Sequence, residues 1–280
     1  MLAAGKALNI SRALAWLRVK NIAAGLWGQD DYNRMLEDVK PLADYVDVKF
    51  TKVPGQTRHN VTLWDMHAGR EMHLRCESEL TSRQSLKKLA ADLQNIVRKN
   101  STVVFAGSMP ETPLLEQCLA IIARARDAGA RVAVDTSGSA LTEVVRLEGI
   151  WLIKPNIKEF RLLLGRRVPD TAAEIAKAAR KLSNNVRLIL VSRGPKGAVA
   201  VSHDKALQAE VARPLAKVTA TVGCGDYLLA GFIAQMHRRN NLRLALANAV
   251  KLATAKACGF TEILTWPQAE RKIKTRVHLP

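Results

Sequence analysis

The chain has 280 residues, of which 48% are hydrophobic and 5% aromatic, and its 43 basic and 25 acidic residues give a formal net charge of +18. This composition is typical of a globular α/β protein and excludes a disordered chain. No apolar run approaches the roughly 20 residues that a membrane span needs, and Lys6 and Asn9 interrupt any secretory leader.

Cysteine spacing and charge bear on compartment and partners. The four cysteines are scattered and include no C-x-x-C pair, which fits reduced thiols in a cytoplasmic protein rather than a disulfide or zinc framework. The positive charge attracts polyanions, and both nucleic acids and phosphorylated small molecules belong to that class. The basic residues are spread over many segments without an aromatic-plus-basic surface motif, so nucleic acid is the less favoured partner.

The first predicted elements are a helix and two strands separated by a second helix. Lys6 and Asn9 stand at the start of an apolar-rich helix over residues 10–17, where they suit an anion or a hydroxyl group. The alternative is a solvated helix end. Hydrophobic patterning then predicts a strand over 22–28, a helix over 32–42 and a strand over 46–50.

A different pattern lies between Val53 and Glu77. Residues 57–64 and 71–75 alternate between apolar and polar side chains and are joined at 67–70, which predicts a β-hairpin. We therefore assign 51–77 to a small β lid, and 1–50 with 78–280 to one α/β domain. Arg58 in this insertion carries a planar fork suited to a phosphate, or else a plain surface charge.

From Thr81 onward, helices and strands alternate steadily. Strands are predicted over 102–106, 131–134, 151–153 and 187–191, and this rhythm favours a mostly parallel sheet with helices on both faces. Ligands of such sheets bind beyond the carboxyl ends of the strands. Polar clusters follow all four strands: Gly107-Ser108, Asp135 to Gly138, Lys154-Pro155-Asn156 with Glu159, and Ser192 to Gly197.

The segment Thr221 to Asp226 lies between a predicted strand over 206–212 and a helix that extends to about residue 238. Amide groups at a helix start lack intrahelical acceptors and carry part of a positive dipole, so they attract an anion such as phosphate. Asp226 would repel a phosphate that merely binds there. The conflict disappears if the phosphoryl group is transferred and Asp226 accepts the proton of its attacker. The alternative is that Asp226 only caps the helix.

Taken together and in this order, the motifs from Gly5 to Glu262 resemble the ribokinase-like PfkB family of sugar kinases, particularly its 1-phosphofructokinase and tagatose-6-phosphate kinase branch. The resemblance implies an α/β three-layer sandwich with a mostly parallel central sheet and a β-hairpin lid. It also implies ATP and Mg²⁺ as cofactors. The substrates that it suggests are fructose 1-phosphate, fructose 6-phosphate and tagatose 6-phosphate, and Arg58 favours such phosphosugars because a buried guanidinium without its anion is costly.

The resemblance also assigns individual roles. It makes Asp226 the catalytic base and the amides of Gly223, Cys224 and Gly225 the anion hole. The residues implied to bind the nucleotide are Lys154, Asn156, Glu159, Ser192, Gly194, Gly197 and Asn248, of which Asn156 and Glu159 hold Mg²⁺ through water. The residues implied to bind the substrate are Lys6, Asn9, Arg58, Ser108 and Asp135.

The sequence departs from the family pattern in several places. Members of this branch begin with a strand and a substrate-binding aspartate ahead of the glycine-lysine motif, whereas this sequence starts almost on that motif. Ala7 replaces a glycine, Cys224 an alanine and Tyr227 a small residue. Three explanations of these departures remain open. An upstream segment is lost from this sequence, a partner chain takes its place, or the protein is degenerate and only binds a sugar phosphate or nucleotide. We also expect a homodimer that pairs the lids.

Overall fold

The computed structural model describes residues 3–65, 70–213, 218–219 and 221–280, which alternate between helices and strands. The strands are β1 (Asn21–Gly28), β2 (Val46–Val53), β3 (Asn60–Asp65), β4 (Arg70–Arg75), β5 (Thr102–Ala106), β6 (Arg131–Asp135), β7 (Ile150–Ile153), β8 (Val186–Ser192), β9 (Ala198–Val201), β10 (Ala206–Val211) and β11 (Thr275–His278). The helices are α1 (Lys6–Trp16), α2 (Tyr32–Val39), α3 (Arg83–Gln94), α4 (Leu114–Asp127), α5 (Gly138–Arg146), α6 (Ile157–Leu163), α7 (Ala172–Ala179), α8 (Cys224–Arg239), α9 (Leu242–Ala257), α10 (Phe260–Ile263) and α11 (Trp266–Lys272).

Seven strands form the central sheet, in the order β11-β10-β9-β8-β7-β6-β5. The strands β5 to β8 are parallel, and each of β9, β10 and β11 is antiparallel to its predecessor in the sheet. As a result, β10 runs in the same direction as β5 to β8. The predicted α/β class with a mostly parallel central sheet is confirmed.

Both faces of this sheet are buried, because successive residues of a strand point to opposite sides. In β8, Leu188 and Leu190 pack into the apolar cluster that contains α8 and α9. Ile189 and Val191 pack into the opposite cluster, which contains α5 and α7. No helix among the described residues is long and apolar enough to cross a bilayer.

The strands β1 and β2 form a parallel pair of their own. In the described part of the chain, neither strand is hydrogen-bonded to the central sheet. The helix α1 contacts β1 on one side and packs along α8 on the other. It thereby connects this pair to the rest of the domain.

The predicted hairpin is present, with β3 and β4 paired antiparallel from Asn60↔Arg75 to Asp65↔Arg70. Its predicted connection through His67, Ala68 and Gly69 lies outside the described residues. Because β2 continues to Val53, the proposed lid boundary at residue 51 falls inside a strand. The division into a domain and a lid stays a prediction.

Candidate active site

The start of α8 forms the centre of the candidate site. Gly223 caps this helix with φ 81° and ψ −8°, a left-handed conformation that glycine adopts without steric cost. Its carbonyl accepts hydrogen bonds from the amides of Asp226 and Tyr227, both at 3.0 Å. This turn fixes the buried side chain of Asp226 in the first turn of the helix, at the positive end of the dipole.

The Asp226 carboxylate has one direct hydrogen-bond partner of particular interest. Asn9 Nδ2 in α1 donates to Asp226 Oδ2 at 2.7 Å. Burial is the largest influence on the pKa of Asp226 and raises it, and the nearby charge of Asp135 acts in the same direction. The Asn9 hydrogen bond, Lys6 and Lys154 oppose this shift, and the net result is a pKa above the ordinary value. A raised pKa is the property expected of a general base.

A second buried carboxylate, Asp135 at the end of β6, binds two lysines. Its Oδ1 atom lies 2.9 Å from Lys6 Nζ and 3.3 Å from Lys154 Nζ. Lys6 is the first residue of α1, and Lys154 follows β7 directly. Three elements that are distant in sequence therefore meet at the carboxyl ends of neighbouring strands, as the alternating pattern predicts.

Positive side chains also adjoin the amides of the α8 start. A Cβ atom placed on Gly225 would lie 3.3 Å from Lys154 Nζ, and one on Gly223 would lie 3.9 Å from Lys256 Cε. The amide of Cys224 makes a long hydrogen bond of 3.4 Å to Thr221 O. An anion that used this amide would replace that bond. The position combines backbone donors, a helix dipole and lysine charge, which is suited to a phosphoryl group.

The predicted phosphate-binding loop follows β8. Gly194 has φ 58° and Gly197 has φ 75°, so both occupy the left-handed region. The amide of Ser192 donates to Pro155 O at 3.0 Å, and Asn156 forms an isolated parallel bridge with Ser192. This backbone pairing places the loop beside the lysine-proline-asparagine segment.

The side chains of Asn156 and Glu159 form a capping box at the start of α6. Asn156 Oδ1 accepts from the amides of Lys158 and Glu159 at 2.9 Å, and Glu159 Oε2 accepts from the Asn156 amide at 2.8 Å. These bonds use one oxygen of each side chain for the helix. The arrangement suits contacts with the water shell of Mg²⁺ better than direct coordination by both residues.

The side chains of Arg58 and Ser108 contact each other near the carboxyl end of β5. Arg58 Nη2 donates to Ser108 Oγ at 3.0 Å, and Nη1 donates to Cys76 O at 3.4 Å. Both residues are exposed. The argument that a buried Arg58 fork demands an anion is therefore wrong for this conformation, because an exposed guanidinium remains solvated. The contact nonetheless joins the lid segment to the end of β5.

Asn248 is a residue of α9, and its Nδ2 donates to Gly231 O of α8 at 2.9 Å. The two helices pack closely there, since a Cβ atom on Gly231 would lie 3.0 Å from Asn248 O. The structure thus gives Asn248 a packing role and brings it into no direct contact with the cluster around Asp226 in the described chain. Its role toward the nucleotide stays a prediction.

Sequence reasoning missed two charged residues near the site. Asp170, before α7, accepts from Arg193 Nε and Lys196 Nζ, both at 2.7 Å, and so holds the loop between Ser192 and Gly197. No spacing signal distinguishes it. Lys256 lies beside Gly223, in the same helix α9 as the predicted nucleotide-binding residue Asn248. Helical spacing from Asn248 could have pointed to it.

The chain shares sequence with known sugar kinases. It matches the family described as pfkB family carbohydrate kinase over residues 1–267. It is 30% identical over 271 residues to the 1-phosphofructokinase of Borreliella burgdorferi, a match that covers 93% of this chain and 84% of that protein. It is 27% identical over 257 residues to the tagatose-6-phosphate kinase of Staphylococcus epidermidis, with 90% and 81% covered.

The fold is also similar to a solved structure. The phosphofructokinase-2 of Escherichia coli, crystallised in complex with substrates and products, superposes with a TM-score of 0.85 and 24% sequence identity. The superposition covers 95% of this chain and 85% of that one. The shared architecture includes the sheet whose strand ends carry the cluster around Asp226.

Proposed function

We propose that this chain, which belongs to the pfkB family of carbohydrate kinases, transfers the γ-phosphoryl group of ATP to a hydroxyl group of a ketohexose phosphate. It is an ATP-dependent sugar-phosphate kinase, as its relatives indicate. The observation that supports the finer proposal is the buried carboxylate of Asp226, hydrogen-bonded to Asn9, in the first turn of α8.

Asp226 acts as the general base in this proposal. The sugar hydroxyl oxygen attacks the γ-phosphorus of ATP while the bond to the β-phosphate oxygen breaks and ADP leaves, and Asp226 accepts the hydroxyl proton. Assistance of this kind contributes about 10²–10⁴-fold in enzymes. The raised pKa of Asp226, due first to burial, makes its carboxylate a better proton acceptor than an exposed aspartate.

The start of α8 stabilises the charge that is transferred. The amides of Gly223, Cys224 and Gly225 lie at the start of the helix and are the proposed donors to the phosphoryl oxygens. Lys154 and Lys6 add positive charge beside them. Preorganised donors of this type contribute about 10²–10³-fold each in other enzymes.

The nucleotide phosphates are proposed to bind Lys154 and the loop from Ser192 to Gly197. Mg²⁺, when bound, neutralises phosphate charge. Asn156 and Glu159 are the residues that would hold its water shell. Among the described residues, no group of three or more His, Cys, Asp or Glu side chains could cage a metal ion, which agrees with an ion carried largely by ATP.

The acceptor is proposed to be fructose 1-phosphate, fructose 6-phosphate or tagatose 6-phosphate. Arg58 and Ser108, which already contact each other, lie where the lid segment reaches the sheet edge. A guanidinium fork binds phosphate oxygens in pairs, so we assign Arg58 to the phosphate that the sugar already carries. Asn9 is assigned to a sugar hydroxyl.

A second copy of the chain is the proposed partner of the lid. Val61 pairs with Leu74 and Leu63 with Met72 across the hairpin, so the four side chains share one face. Their exposed fractions are 48%, 51%, 51% and 61% for Val61, Leu74, Leu63 and Met72. An apolar face of this kind favours an interface with an identical surface.

The substitution Asp226→Asn tests the base, because it keeps the shape and removes the charge. We expect kcat with ATP and the best of the three ketohexose phosphates to fall at least about 100-fold. The matched control is Asp47→Asn, since Asp47 is an exposed aspartate of β2 that pairs only with Lys49 among the described residues. It should retain the wild-type rate.

Two outcomes would contradict the proposal. Retention of more than a tenth of the rate by Asp226→Asn would remove Asp226 as the base. Turnover of unphosphorylated sugars alone by the wild-type chain would remove the assignment of Arg58 and the phosphosugar class.

A further inference from the structure

We propose that Asp135 is a positioning residue that holds the ammonium groups of Lys6 and Lys154 together beside the start of α8. This inference rests on the proposed kinase function and refines it. It replaces the direct sugar contact that the family resemblance implies for Asp135. The residue would act on the reaction through the two lysines and through Asp226.

The contacts of Asp135 are directed toward the lysines. Its side chain is 0% exposed, and its Oδ1 atom lies 2.9 Å from Lys6 Nζ and 3.3 Å from Lys154 Nζ. The Oδ2 atom is also buried and has no hydrogen-bond partner within the described part of the chain. The Asp135 side chain thus presents no exposed surface to a sugar hydroxyl, whereas Lys6 is 35% exposed.

Electrostatics explains why the two lysines need a shared carboxylate. Two ammonium groups repel each other, and burying a charge is costly unless an opposite charge compensates it. Lys154 is 5% exposed, so the burial of its ammonium group requires an opposite charge nearby. Asp135 supplies it, and the pair of lysines can then remain next to Gly225 and its amide.

The same carboxylate acts on the base. The charged or titratable groups that act on Asp226 are Lys6 from α1, Asp135 from β6, Lys154 from the end of β7 and Tyr227 from α8. Lys256 from α9 lies beside Gly223 in the same turn. Burial is the main cause of the raised pKa of Asp226, and Asp135 raises it further through repulsion of like charges. Neutralising Asp135 removes this repulsion and should therefore lower the pKa of Asp226.

The substitution Asp135→Asn separates a positioning role from a sugar contact. We expect kcat to fall about tenfold or more, while KM for the sugar phosphate stays within about threefold and KM for ATP stays equal or decreases. Removing a negative charge leaves more net positive charge for the phosphates, so weaker phosphate binding is not expected. The acidic limb of the kcat/KM profile should move to lower pH.

Asp170→Asn is the matched control. Asp170 also joins two cations, Arg193 and Lys196, but it lies before α7 and holds the nucleotide loop. This variant should raise KM for ATP and leave the acidic limb in place. A rise of at least tenfold in KM for the sugar phosphate at unchanged kcat in Asp135→Asn would instead identify Asp135 as a sugar ligand and overturn the proposal.

A double-mutant cycle adds a test that tolerates partial loss of stability. Lys6→Gln and Asp135→Asn are measured singly and together. If Asp135 acts through Lys6, the double variant should lose less activity than the product of the two single losses. If the activity loss of the double variant equals the product of the two single losses, the shared contact is contradicted.

A readout independent of turnover distinguishes failure of this inference from failure of the kinase proposal. Lysine ¹⁵N spectra of the wild-type chain should show hydrogen-bonded, slowly exchanging ammonium signals, assigned to Lys6 and Lys154 by Lys→Arg replacement. Asp135→Ala, which removes both side-chain oxygens, should abolish the Lys154 signal and weaken the Lys6 signal, because Lys6 also donates to Asp135 O at 3.4 Å. Their persistence would overturn the tether, even in a fully active enzyme. Their loss from a chain that phosphorylates no sugar would support the tether while the kinase proposal fails.

Discussion

The loop that follows β8 contains two glycines with positive φ and very different surroundings. Gly197 has φ 75° and ψ −131°, and a Cβ atom there would lie 1.9 Å from the carbonyl oxygen of Ala209 in β10. Gly194 has φ 58°, and a Cβ atom there would meet nothing within 4 Å. The two positions therefore separate backbone strain from a steric clash.

The expected magnitudes follow from these two surroundings. In Gly194→Ala, the strain of a left-handed backbone costs about 1–2 kcal/mol. The reduced conformational entropy of the unfolded chain offsets about 0.4–1 kcal/mol of this cost. In Gly197→Ala, the clash with the β10 backbone adds an overpacking cost of about 1–3 kcal/mol. We therefore expect Gly194→Ala to lower the free energy of unfolding by at most about 1.6 kcal/mol, and Gly197→Ala by roughly 1–4.6 kcal/mol.

Urea unfolding of the two variants and the wild-type chain measures this difference. Gly197→Ala should also raise KM for ATP more than Gly194→Ala, because the clash displaces the loop whose amides are proposed to bind phosphate. If Gly197→Ala is as stable as Gly194→Ala within about 0.5 kcal/mol, the close approach of Gly197 to β10 does not determine stability and the reasoning is refuted.

Two further predictions concern the base and the lid. Asn9→Ala removes the hydrogen bond that lowers the pKa of Asp226, so the acidic limb of the kcat/KM profile should move to higher pH, and an unmoved limb would contradict this role for Asn9. Leu63→Glu combined with Met72→Glu places charge on the apolar face of the lid and should weaken self-association at least about 100-fold in sedimentation experiments. The control Leu162→Glu, at a site 75% exposed on α6, should leave the mass unchanged, and a wild-type chain that is monomeric at all concentrations would refute the lid interface.

Local sequence patterns predicted most of the fold. Continuous apolar runs identified the parallel strands β5 to β8, and a glycine turn before an apolar run identified the start of α8. The strands β9 and β11 were not predicted. β9 is a run of four residues, and β11 alternates with charged side chains at the edge of the sheet, so neither differs clearly from a loop by pattern alone.

The candidate site was also predicted only in part from the sequence. The order of strands and polar clusters was sufficient to place Asp135, Lys154, Ser192 and Asp226 at one edge of a sheet, because parallel strands end on the same side. The amino-acid sequence directly gives the chemical type and charge of these four side chains. The motif also identified Asp226 as the residue in the first turn of a helix.

Only the tertiary structure showed which of these groups touch. Asn9 reaches Asp226 across 217 residues of sequence, and Lys6 reaches Asp135 across 129. Such contacts depend on how α1 packs against α8 and the sheet, which no local periodicity encodes. The sequence by itself therefore determined which chemical groups are available at the sheet edge. The packing of distant elements decided their pairing, because a hydrogen bond requires atoms within about 3 Å of each other.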